Sequence, residues 1–271
     1  MGQRLLFVFM VSLGAGCGME RSLIFFPEKS IETTPADVGL SFEDLYILTP
    51  DGTRINGWYV PSPGAKVTLL WLHGNAGNLS HRVDPLRYLH RELGVNVLMI
   101  DYREYGRSEG RVTEEGTYQD TLAAYDDLIK RSDLDPLRIV AYGQSLGSAV
   151  AVELALHRQL YGLILEAPFA SIRAMAAFHY PWLPFGGLLS IRYDSLEKIS
   201  KVNVPLLILH GDGDEIVPYE QGKKLYEAAG PPKQFYTIKG AGHNDVYIVG
   251  GEGYFRAMRD FIQGLVTNSG P

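Results

Sequence analysis

Six short apolar runs, Val67 to Leu72, Val95 to Ile100, Arg138 to Tyr142, Leu163 to Leu165, Leu206 to Leu209 and Phe235 to Ile238, recur along the chain, separated by stretches long enough to hold a helix. A strand that is apolar on both faces is one that is covered on both faces, as in a parallel sheet whose crossover helices pack on either side. Ahead of this series, Phe42 to Leu48 and Arg54 to Val60 alternate around Pro50-Asp51-Gly52, a turn signal that predicts an antiparallel hairpin. Between the runs, Leu122, Tyr125, Leu128 and Ile129 fall on one face of a helix. Gly147, Ala151 and Ala155 give another helix a small-residue face for close packing. A hairpin followed by βα alternation implies an α/β chain with a mostly parallel, doubly wound sheet, whose ligand site is expected at the carboxyl ends of the strands.

With 46% apolar residues in 271, the chain can bury one large core, and residues 41–271 read as a single domain after a linker, 18–40, that carries Pro27 and Pro35. A net charge of -6 without Lys or Arg clusters excludes nucleic acid and favours a small or apolar partner. No sequence signal fixes an oligomeric state. One segment breaks the alternation: between Pro168 and Val204 no strand is predicted, but Phe178, Tyr180, Trp182, Leu183, Phe185, Leu188 and Leu189 cluster. An insertion of that length beside a strand end reads as a short lid, about 169–203, with Phe178, Tyr180, Trp182 and Phe185 as substrate-binding candidates. The alternative is that these residues only pack onto the domain.

Residues 1–17 carry Arg4, an apolar stretch from Leu5 to Leu13, and then Gly14-Ala15-Gly16-Cys17, the layout of a secretory signal too short to span a bilayer. Small residues directly before the lone cysteine resemble a bacterial lipoprotein signal, in which Cys17 would become the lipid-bearing first residue of the mature chain. That reading predicts a membrane-anchored protein facing the periplasm or cell exterior. It departs from the pattern in one place, since Gly14 stands where an apolar residue is usual and Leu13 is displaced by one. An uncleaved interfacial anchor or a buried N-terminal helix are the other readings. A single cysteine excludes an internal disulfide, and Leu6 occupies the place where a myristoylation motif needs Ser or Thr.

Gly143-Gln144-Ser145-Leu146-Gly147 falls where the run ending at Tyr142 gives way to the small-residue helix. The five letters alone are a weak signal, but a strand, a tight turn and a helix are the context in which a serine is presented as a nucleophile. The Leu146 amide, at the helix start, is then a donor for an oxyanion. A serine hydroxyl needs a base and a group that orients the base. Of seven histidines, His81, His90 and His157 lie in helical segments and His179 in the lid, whereas His243 sits in a glycine-flanked loop past the last strand. The loop after Leu209, His210-Gly211-Asp212-Gly213-Asp214-Glu215, offers two aspartates. Asp214 lies far enough along to reach His243, and Asp212, between glycines, suits a turn. The expected triad is therefore Ser145, Asp214 and His243, in that chain order. The loop after Leu72, His73-Gly74-Asn75-Ala76-Gly77-Asn78, should supply the second oxyanion donor, from Asn75 or alternatively Ala76.

From Leu23 to Phe261 the chain resembles the α/β-hydrolase group that includes the Bem46-like and ABHD-type membrane-associated serine hydrolases. The resemblance rests on His73 to Asn78, Asp101-Tyr102-Arg103 with Tyr105-Gly106-Arg107-Ser108, Gly143 to Gly147, His210-Gly211 with Asp214, and Gly242-His243. It implies the α/β-hydrolase fold and the same triad and oxyanion positions. Glu104 departs from that group, which often has Gly there. A lipid-anchored enzyme with an aromatic lid would meet acyl chains at a membrane surface, which points to a small or lipid-like acyl substrate, an ester or thioester; the resemblance implies the thioester, since some members remove palmitoyl groups from proteins. No cofactor or metal is expected. Two alternatives stay open: a serine peptidase of the aminopeptidase kind, with Glu104 or Glu215 as an acidic subsite, and a catalytically silent membrane-anchored binding protein.

Overall fold

The computed structural model describes residues 16–182 and 189–268. Ten strands follow in chain order: β1 (Phe26–Pro27), β2 (Glu43–Leu48), β3 (Arg54–Val60), β4 (Thr68–Leu72), β5 (Ala76–Gly77), β6 (Asn96–Ile100), β7 (Ile139–Gln144), β8 (Gly162–Glu166), β9 (Leu206–Gly211) and β10 (Lys233–Ile238). Eight form one sheet in the order β10-β9-β8-β7-β4-β6-β3-β2. The β2–β3 hairpin forms as expected, with Leu45 opposite Gly57, and β3 also runs antiparallel to β6. Every other pairing in this sheet is parallel. This is the architecture of an α/β hydrolase.

The reason the runs read as continuously apolar is visible in β4 and β6. Leu70 and Leu72 join Leu98 and Ile100 in one core, whereas Leu69 and Trp71 join Val97 and Met99 in the other. Alternate side chains thus enter opposite layers, and neither layer is wet. Helices α3 (Glu114–Leu128) and α4 (Leu146–His157) cover the first face, and α2 (Val83–Leu93) and α8 (Val246–Asn268) the second. The small-residue face of α4 has a definite use. A Cβ at Gly147 would overlap the carbonyl of Leu72, and one at Gly143 would overlap the backbone of Gly147, so α4 meets the end of β4 closely only because Gly147 lacks one, and β7 only because Gly143 does. Ile129 differs from expectation. It caps α3 at its carboxyl end and is exposed, because the chain turns there before the helical face is completed.

The stretch 18–40 is more than a connector. Helix α1 (Gly16–Ile24) runs into it, and β1 pairs in parallel with β5. Two residues carry no periodic signal, which is why this pairing could not be read from the sequence. Within 169–203 the described residues hold two helices, α5 (Ile172–His179) and α6 (Ser195–Ile199), and no strand. Leu183, Phe185 and Leu188, residues 1–15 and the Cys17 side chain lie outside what is described. Among the described residues no helix is long and apolar enough to cross a membrane. Helix α7 (Tyr219–Ala228) follows β9 and completes the set.

Candidate active site

Ser145 stands between β7 and α4 with φ 52° and ψ -116°, a backbone conformation that a residue with a Cβ adopts at a cost on the order of 1–3 kcal/mol. The turn is held from both sides. The Ser145 amide donates to the Glu166 carbonyl at 2.9 Å, and the Ser148 amide and hydroxyl both donate to the Ser145 carbonyl, at 2.9 and 2.6 Å. Below the turn, the buried Glu166 carboxylate accepts Tyr142 Oη at 2.7 Å, Tyr254 Oη at 2.5 Å and Gln144 Nε2 at 2.7 Å. Burial and the adjacent Glu166 carboxylate push both phenols well above their ordinary range, so they stay protonated donors.

His243 arrives from the loop after β10. That loop is shaped by the Gly240 amide donating to Asp212 Oδ1 at 2.6 Å, the Gly242 amide to Asp245 Oδ1 at 2.7 Å and the Gly213 amide to the Ala241 carbonyl at 3.0 Å. The ring spans two partners: Nε2 lies 3.0 Å from Ser145 Oγ and Nδ1 lies 2.7 Å from Asp214 Oδ2. Asp214 is buried, and its other oxygen accepts the amides of Ile216 and Val217 at 2.9 and 2.8 Å. His210 Nε2 sits 3.5 Å from the same Oδ2 and donates to the Val217 carbonyl at 2.9 Å. Burial opposes a charge on Asp214, but His210, His243 and the Val217 amide outweigh it and hold the carboxyl well below the usual carboxylate range. An ionised carboxylate facing Nδ1 keeps the proton on that nitrogen and leaves Nε2 as an acceptor toward Ser145. Asp212 is exposed and serves the turn.

The remaining sequence-derived residues divide. The Leu146 amide opens α4 directly after Ser145, where helix geometry leaves it without a helical partner. Gly74 lies against Ser145, so the loop after β4 borders the serine. In that loop His73 Nδ1 lies 2.6 Å from the Gly74 carbonyl. A trans peptide then directs the Asn75 N–H away from the His73 ring. Ala76 is exposed, and its carbonyl accepts Arg82 Nη2 at 2.9 Å. Phe178, Tyr180 and Trp182 are all more than half exposed; with His179 they form a chain of ring contacts of 5.1 to 6.5 Å rather than filling the core. The carboxyl end of α5 is tied to the loop beyond Asp214 by His179 Nε2 donating to the Ile216 carbonyl at 2.8 Å. Glu104 has φ 73°, the region where glycine is at ease, and its carboxylate pairs with Arg21 and accepts the Val112 amide at 2.8 Å.

In the sequence, His210 and Tyr105 carry no role beyond their place in the matched motifs, and Glu166 is not singled out. His73 and His210 each begin a His-Gly pair at the carboxyl end of a strand, a shared signal that was available. Glu166, inside an apolar strand, gave a second one, because a carboxylate in such a run requires buried donors. Among the described residues no group of three or more His, Cys, Asp or Glu side chains is placed to hold a metal ion.

Sheet order, the serine elbow and its hydrogen-bonded histidine and aspartate define the α/β-hydrolase class. Residues 83–263 match the model of the prolyl oligopeptidase family. An uncharacterized protein of Mycobacterium tuberculosis is 41% identical over 245 residues, covering 90% of this chain and 87% of that protein. Protein bem46 of Schizosaccharomyces pombe is 34% identical over 280 residues, covering 96% and 91%. In structure, the Pyrococcus furiosus esterase Pf2001 superposes with a TM-score of 0.74 at 22% identity, over 88% of this chain and 98% of the esterase. The chain belongs to the prolyl oligopeptidase family, as a Bem46-like α/β hydrolase. It is a hydrolase of that superfamily.

Proposed function

We propose that the protein cleaves a carboxylic ester or thioester of an acyl substrate, with Ser145 as nucleophile, His243 as general base and Asp214 as the group that orients and charges the pair. The observation that carries this reading is the unbroken row Ser145 Oγ, His243 Nε2, His243 Nδ1, Asp214 Oδ2, with gaps of 3.0 and 2.7 Å. Ser145 Oγ attacks the acyl carbonyl as its proton passes to His243 Nε2, and the charge on the carbonyl oxygen is met by the amides of Leu146 and Asn75. His243 returns the proton to the departing alcohol or thiol, leaving Ser145 acylated. Water, deprotonated by His243, then attacks the acyl carbon; the bond to Ser145 Oγ breaks as His243 returns the proton to that oxygen, releasing the acid and restoring the serine.

Phe178, Tyr180 and Trp182 supply apolar surface on a lid that borders the Asp214 loop, which suits a lipid-like acyl chain; Phe185 lies outside the described residues. In this reading the N-terminal segment, through Cys17 or as an interfacial anchor, holds the enzyme at a membrane facing the periplasm or cell exterior.

A peptidase reading is favoured by the family match. Against it, Glu104 is already committed to Arg21 and to the Val112 amide, so of the two acidic subsites considered only the exposed Glu215 is free to meet a peptide amine. The test is turnover of p-nitrophenyl esters from acetyl to palmitoyl and of one aminoacyl anilide, by wild type and Ser145→Ala. Ester turnover lost in the variant supports the esterase. Anilide turnover alone supports the peptidase. Silence on all substrates without fluorophosphonate labelling overturns both in favour of a binding protein.

A further inference from the structure

The loop that carries Asn75 is bound along its length by the chain's own N-terminal stretch. The Phe26 amide donates to the Asn75 carbonyl at 2.9 Å and the Glu28 amide to the Gly77 carbonyl at 3.1 Å. In the other direction, Asn75 Nδ2 donates to the Ile24 carbonyl at 2.8 Å, and Asn78 Nδ2 to the carbonyls of Glu28 and Ser30 at 3.0 and 2.6 Å. Tyr105 Oη donates to the same Asn75 carbonyl at 2.7 Å. Upstream, Phe25 is buried against Tyr193, Arg21 pairs with Glu104, and the Glu20 carboxylate accepts the amide of Ser190 at 2.7 Å.

Two consequences follow for Asn75. Its side chain is engaged with Ile24, so the backbone N–H is what it can offer an oxyanion. Its neighbours Gly74 and Gly77 leave the loop backbone pliable, Gly77 at φ 79°. An amide in such a loop is a useful donor only if other bonds fix its direction, because a preorganised donor stabilises developing charge without reorientation. His73 fixes the Gly74 carbonyl, and the N-terminal stretch fixes both the carbonyl and the side chain of Asn75.

We infer that residues 24–28 act as a positioning strap for the oxyanion loop, so that the way the N-terminal segment is held governs the chemical step. The inference rests on the serine-hydrolase reading above. The strap touches neither substrate nor triad; it holds the Asn75 side chain and the Asn75–Ala76 peptide, and so braces from one side the Gly74–Asn75 peptide that carries the donor N–H and that His73 holds from the other. The sequence predicts a membrane anchor in residues 1–17, upstream of the strap, so in this reading the strap joins anchoring to turnover.

The experiment uses the full chain. Asn75→Ala keeps the backbone N–H but cuts the tie to Ile24, and Phe26→Pro removes the donor to the Asn75 carbonyl. Active sites are counted by complete fluorophosphonate reaction, and p-nitrophenyl acetate turnover and inhibition by an alkyl trifluoromethyl ketone are measured. Each variant should lose about 10-fold to 100-fold in kcat with KM little changed, part of the loss seen when a whole oxyanion donor is deleted. The ketone should weaken by a similar factor, which a loss of stability alone would not produce in the titrated fraction. Wild-type kcat and inhibition in Asn75→Ala would overturn the strap. Asn75 is only half-buried, so this variant decides the matter if Phe26→Pro does not fold. Ester turnover retained in Ser145→Ala would instead sink the underlying reading, whereas a dead Ser145→Ala beside a wild-type Asn75→Ala sinks only the strap.

Discussion

Asp214 Oδ2 lies 2.7 Å from His243 Nδ1, while Asp212, two residues earlier in the same loop, turns outward to accept the Gly240 amide. The two carboxylates therefore have separable roles. Asp214→Asn should leave the loop in place but offer Nδ1 a partner that no longer fixes its proton, lowering kcat on the order of 10⁴-fold. Asp212→Asn keeps an acceptor for the turn and should stay within a factor of about two or three of wild type. Steady-state ester hydrolysis of the two variants tests the assignment, and the opposite ranking would transfer the role to Asp212.

Asp214 also links stability to pH. Its folded carboxyl titrates below the unfolded value, so the unfolded chain binds more protons as the solution is acidified. The stabilisation it provides is complete above the ordinary carboxylate range and is lost as pH falls through the depressed value. His210→Leu removes one of the groups that depress it, so the folded and unfolded values should move closer together. The difference in melting temperature between wild type and His210→Leu should be largest near neutrality and shrink as pH falls below about 4. A difference independent of pH would mean that His210 acts through packing and its bond to Val217 alone.

Arg103 makes a forked contact with the buried Asp120, with Nη2 to Oδ1 at 2.8 Å and Nε to Oδ1 at 3.0 Å, and it also reaches Asp51 at 2.8 Å. Burial raises the Asp120 carboxyl even though Arg103 opposes that shift. Asp120→Ala leaves the guanidinium with only the partly exposed Asp51, and should cost about 3–5 kcal/mol, the range for breaking one side of a buried pair. Arg103→Lys should not restore stability, because an ammonium lacks the planar fork. Urea unfolding of both variants checks this.

The parallel sheet was legible because β4, β6, β7, β8 and β9 alternate between two dry layers, while β10 at its edge buries only Ile238, and the hairpin was legible from its turn. The approach of Ser145, Asp214 and His243 could be anticipated because each follows a strand end on the same edge of one parallel sheet. What escaped was whatever depended on a few residues meeting across long separations. The pairing of Phe26 with Ala76 has no periodicity to announce it. The departure at Glu104 was visible as a letter, but its sense emerges only with φ 73° and with Arg21 beside it: the residue that takes up a glycine-like backbone here uses its side chain to hold the N-terminal contact. Ile129 was misassigned to a buried face because nothing in its apolar side chain marks the end of a helix.

Glu166 is the remaining group whose substitution separates geometry from chemistry. Its backbone carbonyl holds the Ser145 amide, which any replacement preserves, while its side chain collects three donors. Glu166→Ala would take the acceptor from the half-buried Gln144 and leave Tyr142 and Tyr254, whose hydroxyls lie 3.0 Å apart, only each other, so at least one buried phenol donor goes unsatisfied and a loss of about 1–3 kcal/mol is expected. Glu166→Gln keeps one acceptor oxygen and the shape of the site but brings an amide donor against phenols that are themselves donors, and should fall between wild type and Glu166→Ala. Because Ser145 is held through the backbone, kcat per titrated site should change far less than stability in both variants. Denaturant unfolding and ester turnover measured together decide the point. If kcat falls as steeply as for Asp214→Asn while stability is unchanged, the cluster beneath the elbow takes part in the reaction itself.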